Sequence, residues 1–181
     1  MLTFIVENLP ILICFIAGVA LLVLEALDRD EIALTDSVQI SPRAAAMKGS
    51  QALLDASAVY PLEDLLRTTI MASANDSAVA LSEYIAGSEE NFVDRMNRRA
   101  AELGMTNTNY VNCTGYPQSG QYTTARDVCR LCCEIAKHPR YNQYASVWID
   151  KLTHPSGRVT DLTNTNRLVR FYEGCDGYKT G

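Results

Sequence analysis

Three segments of apolar residues at helical spacing follow one another between residues 61 and 104. They cover Pro61–Met71, Asp76–Gly87 and Glu89–Leu103, the first opening on a proline and the second closing on a glycine. Proline favours the first turn of a helix and glycine favours its end. Helices with one apolar stripe must bury it against another element. The 181 residues are enough for one domain with a substantial core, so this pattern predicts a mostly helical domain.

Other elements are predicted around these three helices. The tail of the apolar N-terminal stretch indicates a buried core helix that ends in an acidic turn, and Thr124 with Asp127 suggests a capping box before a cysteine-bearing helix. These two helices are predicted at 21–32 and from 124 to about 138. The other predicted elements are an extended piece at 35–40, a loop at 105–123, β-like segments at 146–150 and 158–169, and a final short strand at 177–181.

Charge and cysteine patterns exclude several classes of function. The net charge is −5 and no Lys/Arg run appears, which argues against a nucleic-acid partner. Cys129 and Cys132 have zinc-like spacing, but no second ligand pair stands nearby and the chain has 2 histidines. We therefore expect neither metal nor cofactor. Adjacent cysteines on one helix point in different directions, so we expect buried thiols that fill a helix face rather than disulfides.

The apolar stretch Leu9–Leu27 allows two interpretations. Its length would permit a membrane span, and a membrane-anchored protein stays one hypothesis for the chain. Against insertion, no basic residue precedes it and Glu25 lies inside it. The same features leave no recognisable signal peptide. The pattern favours a core helix over a membrane anchor.

Two short motifs carry chemistry. Ser73-Ala74-Asn75 precedes a helix, and Lys179-Thr180-Gly181 closes the sequence. A serine and an asparagine two residues apart can relay a proton and hold a substrate amide, while Lys-Thr-Gly supplies a cation and a hydroxyl for a terminal carboxylate. Each motif alone is weak, because serine or asparagine before a helix is usually an N-cap. Their order and separation strengthen the chemical interpretation.

Four stretches resemble one family. The chain is similar to the low-molecular-mass penicillin-binding proteins, the serine-type D-alanyl-D-alanine carboxypeptidases, from about Ala20 to Gly181. The similarity is carried by residues 70–115, 121–128, 162–170 and 174–181. Ala74 departs from the aspartate of the class A β-lactamase box, and no glutamate of a deacylation loop can be identified, which disfavours an antibiotic-hydrolysing enzyme.

The resemblance implies a fold and a reaction. It implies a truncated α/β domain of the β-lactamase/transpeptidase type, in which this chain is mostly helical with a few short strands, including the strand bearing Lys179. Ser73 and Asn75 would be catalytic, as proton relay and substrate-amide contact. Lys179, Thr180 and Gly181 would bind the substrate. The intact enzyme would trim D-Ala-D-Ala stem peptides of peptidoglycan through an acyl-serine intermediate, be acylated by β-lactams, and work on the outer face of the cytoplasmic membrane.

The nucleophile box is missing. No Ser-x-x-Lys precedes residue 73, and register with the family puts its serine at Ile13 and its lysine at Ile16. We therefore divide the chain into a non-family N-terminus, 1–19, and a partial carboxypeptidase domain, 20–181. The sequence also stops where the family continues into further strands. We expect no turnover and marginal stability, with helices short of apolar partners, and we keep a non-catalytic stem-peptide-binding remnant as the alternative.

Overall fold

A long N-terminal helix, α1 (Leu2–Asp28), packs against most of the other helices. The computed structural model describes residues 2–178 and 180, with side chains from residue 15 onward. The elements that follow are β1 (Ser37–Gln39), α2 (Pro42–Ala45), β2 (Val59–Pro61), α3 (Leu62–Ala72), α4 (Asn75–Ala86), α5 (Glu89–Glu102), α6 (Ala125–Ile135), α7 (Pro139–Ala145), β3 (Ile149–Thr153), β4 (Val159–Thr163) and α8 (Leu168–Phe171).

The second half of α1 is the centre of the core. Phe15, Val19, Val23 and Leu24 are fully buried, and α1 contacts α3, α4 and α6. A helix that is apolar on every side is buried in a core or in a membrane. Among the described residues, no helix meets the length and hydropathy that a membrane crossing requires. The core-helix prediction is confirmed, although the helix ends at Asp28 and not at residue 32. The expectation that the helices lack apolar partners is wrong, since they pack on one another.

The three predicted amphipathic helices are present as α3, α4 and α5. Gly87 ends α4 with a positive φ of 79°. The Ser88 hydroxyl then caps α5 by accepting a hydrogen bond from the Asn91 N–H at 3.1 Å. Helix α5 buries Phe92 and Met96 against the core. Turn chemistry and apolar spacing therefore decide these boundaries, as predicted.

The strands form two small antiparallel pairs. β1 pairs with β2 around Val38 and Tyr60, and β3 pairs with β4 from Ile149 to Thr163. The predicted strand around Lys179 is wrong for the residues described, because Gly177, Tyr178 and Thr180 are in no strand. Gly177 and Tyr178 have φ angles of 108° and 67°, and positive φ lies outside the β region.

The two other β-like segments also differ from the prediction: of 146–150 only residues 149 and 150 are in a strand, and 158–169 is shorter than predicted. β4 ends at Thr163 and is followed by irregular backbone and the short helix α8, because Asn164 and Asn166 turn their side chains onto backbone groups. Helix α7 was not predicted. Pro139 occupies its first turn, a position that favours proline, and Tyr141 and Tyr144 are its buried residues.

The cysteine prediction is wrong for α6. Its buried residues are Asp127, Leu131 and Ile135, spaced four apart, so Cys129 and Cys133 lie on the exposed side with free thiols. The capping-box prediction holds in one half, since the Thr124 hydroxyl accepts from the Asp127 N–H at 3.2 Å. The Asp127 carboxylate instead accepts from Asn107. Across the described part of the chain, no group of metal-ligating side chains gathers.

A buried histidine fastens the β3–β4 hairpin to β2 and to the segment before it. The Tyr60 hydroxyl lies 2.7 Å from His154 Nδ1 and accepts a hydrogen bond from the Asp55 N–H. His154 Nε2 lies 2.8 Å from the Thr160 hydroxyl, and Arg158 Nη2 lies 3.2 Å from Nδ1. These contacts assign a neutral imidazole with its proton on Nε2. Burial, followed by the Arg158 charge, lowers the His154 pKa.

Candidate active site

Ser73 lies at the sharp turn between α3 and α4. Its backbone is left-handed, with φ 58° and ψ 37°, and its N–H donates to the Thr68 carbonyl. A residue other than glycine in this region costs about 1 kcal/mol or more. The hydroxyl, half-buried, makes no hydrogen bond to any described residue. The N-cap of α4 is Ala74, which has no side-chain cap, so Ser73 is not a capping serine.

Asn75 is the first residue of α4 and is buried against the chain before β2. Its side-chain Nδ2 donates to the Lys48 carbonyl at 2.7 Å, and its N–H donates to the Ser50 carbonyl at 2.8 Å. Gly49, with φ 89°, makes room for this amide, because a Cβ there would lie 2.8 Å from Nδ2. The capping alternative is therefore wrong for Asn75 as well. Its side-chain oxygen has no hydrogen-bond partner among the described residues.

A fully buried carboxylate holds the same segment in place. Asp76 Oδ1 accepts from the Ala52 N–H and from the Ser77 N–H, each at 2.9 Å, and Oδ2 accepts from the Leu54 N–H at 3.1 Å. Hydrogen bonds to a charged acceptor are stronger than neutral ones. Asp76 thus ties residues 50–54 to the first turn of α4, next to Asn75.

Three residues after β4, Asn164–Asn166, link the segments that precede the two motifs; we call them the strap. The Thr165 N–H donates to the Met71 carbonyl at 3.1 Å, two residues before Ser73. The Asn166 amide donates to the Gly177 carbonyl at 2.7 Å and to the Tyr178 carbonyl at 3.3 Å. The strap therefore joins the end of α3 to the residues just before Lys179.

The Lys-Thr-Gly motif is only partly described. Thr180 is half-buried, whereas Lys179 and Gly181 lie outside the described residues. Gly177 is buried against α7, so closely that a Cβ would lie 2.3 Å from the Ala145 carbonyl oxygen. Tyr178 packs on Tyr141 with 5.5 Å between ring centroids. The path of the chain just before the Lys-Thr-Gly motif is thus determined by the contacts of Gly177 and Tyr178 with α7 and the strap.

The position expected for the missing lysine lies in the core. Ile16 is 1% exposed, and its neighbour Phe15 packs edge-on against Tyr110 at 4.9 Å. The side chain of Ile13 is outside the described residues. An apolar side chain at Ile16 can neither accept nor donate a proton. The described residues therefore hold a serine, an asparagine and a threonine of the expected site without its base.

The residues that anchor the segments next to these motifs were not predicted from the sequence. Asn164 and Asn166 belong to a segment predicted to be a strand, and Asp76 stands inside an amphipathic helix, where a single buried carboxylate has no periodic signal. The repeated Asn-Thr-Asn was the available clue for the strap, since asparagine often bonds backbone groups in turns.

The chain is similar in sequence to known proteins over most of its length. A family model for D-alanyl-D-alanine carboxypeptidases matches residues 19–181. The D-alanyl-D-alanine carboxypeptidase DacF of Bacillus subtilis (strain 168) is 40% identical over 161 residues, which are 89% of this chain and 41% of that protein.

Solved structures agree with the sequence match. The peptidoglycan synthesis regulatory factor PBP3 of Streptococcus pneumoniae superposes with a TM-score of 0.83 at 30% identity, over 96% of this chain and 53% of that one. The carboxypeptidase DacD of Francisella tularensis shares the fold, with a TM-score of 0.88 at 24% identity over 93% and 52% of the two chains. The predicted truncated β-lactamase/transpeptidase-like fold is confirmed. The chain therefore belongs to the D-alanyl-D-alanine carboxypeptidase family.

Proposed function

We propose that this chain carries part of the cleft of a serine-type D-Ala-D-Ala carboxypeptidase that acts on peptidoglycan stem peptides in the cell envelope, at the outer face of the cytoplasmic membrane. The observation behind the proposal is the strap, which hydrogen-bonds both to the end of α3, before Ser73, and to the backbone before Lys179. The backbone segments that precede Ser73 and Lys179, 106 residues apart in sequence, are thereby connected through one short segment.

Each motif has a proposed role. The Ser73 hydroxyl, which is unbonded among described residues, would relay a proton to the leaving D-alanine. Asn75 would contact the substrate amide through its side-chain oxygen, which accepts no hydrogen bond from a described residue, while one N–H of its Nδ2 is bound to the Lys48 carbonyl. Lys179 and Thr180 would bind the terminal carboxylate, and Gly181 would leave room for the peptide beside them.

The first steps of acyl transfer need a nucleophile and a base. Ile13 and Ile16 stand where the family register expects them, and Ile16 is buried among apolar side chains. We therefore propose that the chain as it stands binds the peptide without cleaving it. In this second candidate, a non-catalytic peptide-binding remnant, the surviving motifs would still recognise the D-Ala-D-Ala end and, without forming a bond, a β-lactam.

Two measurements test these proposals. We expect no covalent labelling by a fluorescent penicillin and no release of D-alanine. We expect measurable equilibrium binding of an acyl-D-Ala-D-Ala peptide by calorimetry, weakened about tenfold by Lys179→Ala, the loss expected for one charge-assisted contact. Lys151→Ala, at an exposed position on β3, is the matched control and should not change the affinity. Labelling by penicillin would overturn the proposal of a non-catalytic remnant. Equal binding of an L-Ala-L-Ala peptide would overturn the proposal that the chain recognises a D-Ala-D-Ala end.

A further inference from the structure

An open groove of about 570 Å³ lies beside the strap, and we call it the Trp148 groove. Its lining includes two aromatic rings and two residues of the strap, and its charged side chains are both arginines. The residues that matter here are Trp148, Phe171, Asn164, Thr165, Arg167 and Arg170. A concave surface that combines aromatic walls with a few convergent polar groups is typical of ligand sites.

Arg170 contacts both aromatic rings of the groove. Its guanidinium carbon lies 5.6 Å from the Trp148 ring centroid and 5.0 Å from that of Phe171, within the range of cation–π contacts. The two rings lie 6.4 Å apart. Contacts with two rings reduce the freedom of a long side chain, so this cation has less entropy to lose when it binds an anion.

Neither arginine of the groove is neutralised by a carboxylate within the described part of the chain. Other arginines are paired closely, as Arg43 is with Glu89 at 2.6 Å and Arg158 is with Asp55 at 2.7 Å. Arg126 is also exposed and unpaired, but it does not line the groove. Although the chain has a net charge of −5, two uncompensated cations in one concave site create a positive local potential, which favours the binding of an anion.

The groove also borders the residues of the proposed cleft. Thr165, which lines the groove, is bonded to Met71, and Asn166 in the same strap is bonded to Gly177 and Tyr178. The groove and the proposed cleft therefore share the strap.

We propose that the Trp148 groove is a subsite for an acidic side chain of the peptide, located on the N-terminal side of its D-Ala-D-Ala end. A carboxylate there would accept hydrogen bonds from Arg170 and Arg167, while the stem of that side chain lies against Trp148 and Phe171. The subsite rests on the proposed function for its location, but its charge preference follows from the groove alone.

Calorimetric titration of the whole chain with matched peptides tests the subsite. One peptide has glutamate two residues before D-Ala-D-Ala, and its partner has glutamine there. We expect the glutamate peptide to bind about fivefold more tightly at low salt, the gain expected for a half-exposed charge-assisted contact, with the ratio falling as salt rises. The ratio should fall to about one in the R167Q/R170Q double variant and stay unchanged in the R126Q control. Fluorescence of Trp148, the single tryptophan, should change with the glutamate peptide.

The outcomes separate the subsite from the proposed function. Equal binding of the two peptides by the unchanged chain, a preference that survives R167Q/R170Q, or no binding of either peptide would overturn the subsite. A third peptide with glutamate and an L-Ala-L-Ala end isolates the other claim. If it binds as tightly as the D-Ala-D-Ala form while the glutamate preference persists, the proposed function fails and the anionic subsite stands.

Discussion

The backbone of Gly177, two residues before Lys179 in sequence, packs tightly against α7. Its φ is 108°, and a Cβ would lie 2.3 Å from the Ala145 carbonyl oxygen. We expect Gly177→Ala to lower the free energy of unfolding by about 3 kcal/mol, through left-handed strain and overpacking. Gly157→Ala is the matched control, with φ 84° and nothing within 4 Å, and should cost only about 1 kcal/mol of strain. Urea unfolding measures both, and equal losses would contradict the close contact.

His154 predicts a dependence of stability on pH. Burial and Arg158 lower its pKa below the ordinary 6.5, and Asp55, 3.9 Å from Nδ1, and Asp76 oppose this shift. Since the unfolded state then binds the proton more tightly, the neutral histidine contributes full stability above about pH 6.5, and this contribution is lost as the pH falls through the folded pKa. We expect a smaller free energy of unfolding at pH 5 than at pH 7.5.

Two variants attribute that pH dependence to His154. In His154→Gln the difference between pH 5 and pH 7.5 should shrink, while the stability at pH 7.5 should fall because the contacts with Tyr60 and Thr160 change. His138→Gln removes the other histidine, which is partly buried and has its Nδ1 2.6 Å from an Asp28 carboxylate oxygen. If His138→Gln rather than His154→Gln removes the acid sensitivity, the buried histidine is not its source.

At the scale of elements, Asp76 decides whether the segment before β2 stays attached to α4. It is fully buried and accepts three backbone N–H groups, two of them from Ala52 and Leu54. Asp76→Asn replaces one acceptor by a donor that faces an N–H, and we expect a loss of about 2 kcal/mol. Asp94→Asn, on the exposed side of α5, should lie within about 0.5 kcal/mol of the unchanged protein. Hydrogen exchange should show residues 50–54 losing protection in Asp76→Asn, and unchanged protection there would contradict this attachment.

At the scale of the whole molecule, exposed apolar side chains near the C-terminal end predict self-association. Leu168 is 57% exposed and Tyr172 is 67% exposed, next to Phe171. Neighbouring exposed apolar groups of this kind favour aggregation or an interface. We expect the 181-residue chain to self-associate and to bind a hydrophobic dye, and L168S/Y172S to reduce both. Tyr116→Ser removes a similarly exposed ring elsewhere and should change neither. A monomer with cooperative melting at about 45–65 °C would contradict the expectation.

The sequence by itself determined the helices from Leu62 to Glu102 and the family. Apolar spacing, the glycine stop at Gly87 and the Ser88 cap act within a few residues, so a local pattern is sufficient to predict them. The same holds for the missing Ser-x-x-Lys box, which is visible from residue types alone. The buried second half of α1 was predictable because its apolar run continues on every face.

Only the tertiary structure decided how the motifs are held. Asn166 bonds Gly177 and Tyr178, and Asp76 bonds Ala52 and Leu54, through side chains that reach backbone groups distant in sequence. Such contacts leave no periodic trace, because one polar side chain has many backbone partners in reach and the folded chain selects among them. The exposed cysteines of α6 and the early end of β4 were mispredicted for the same reason. Which face of a helix is buried, and where a strand ends, depends on the neighbours that packing supplies.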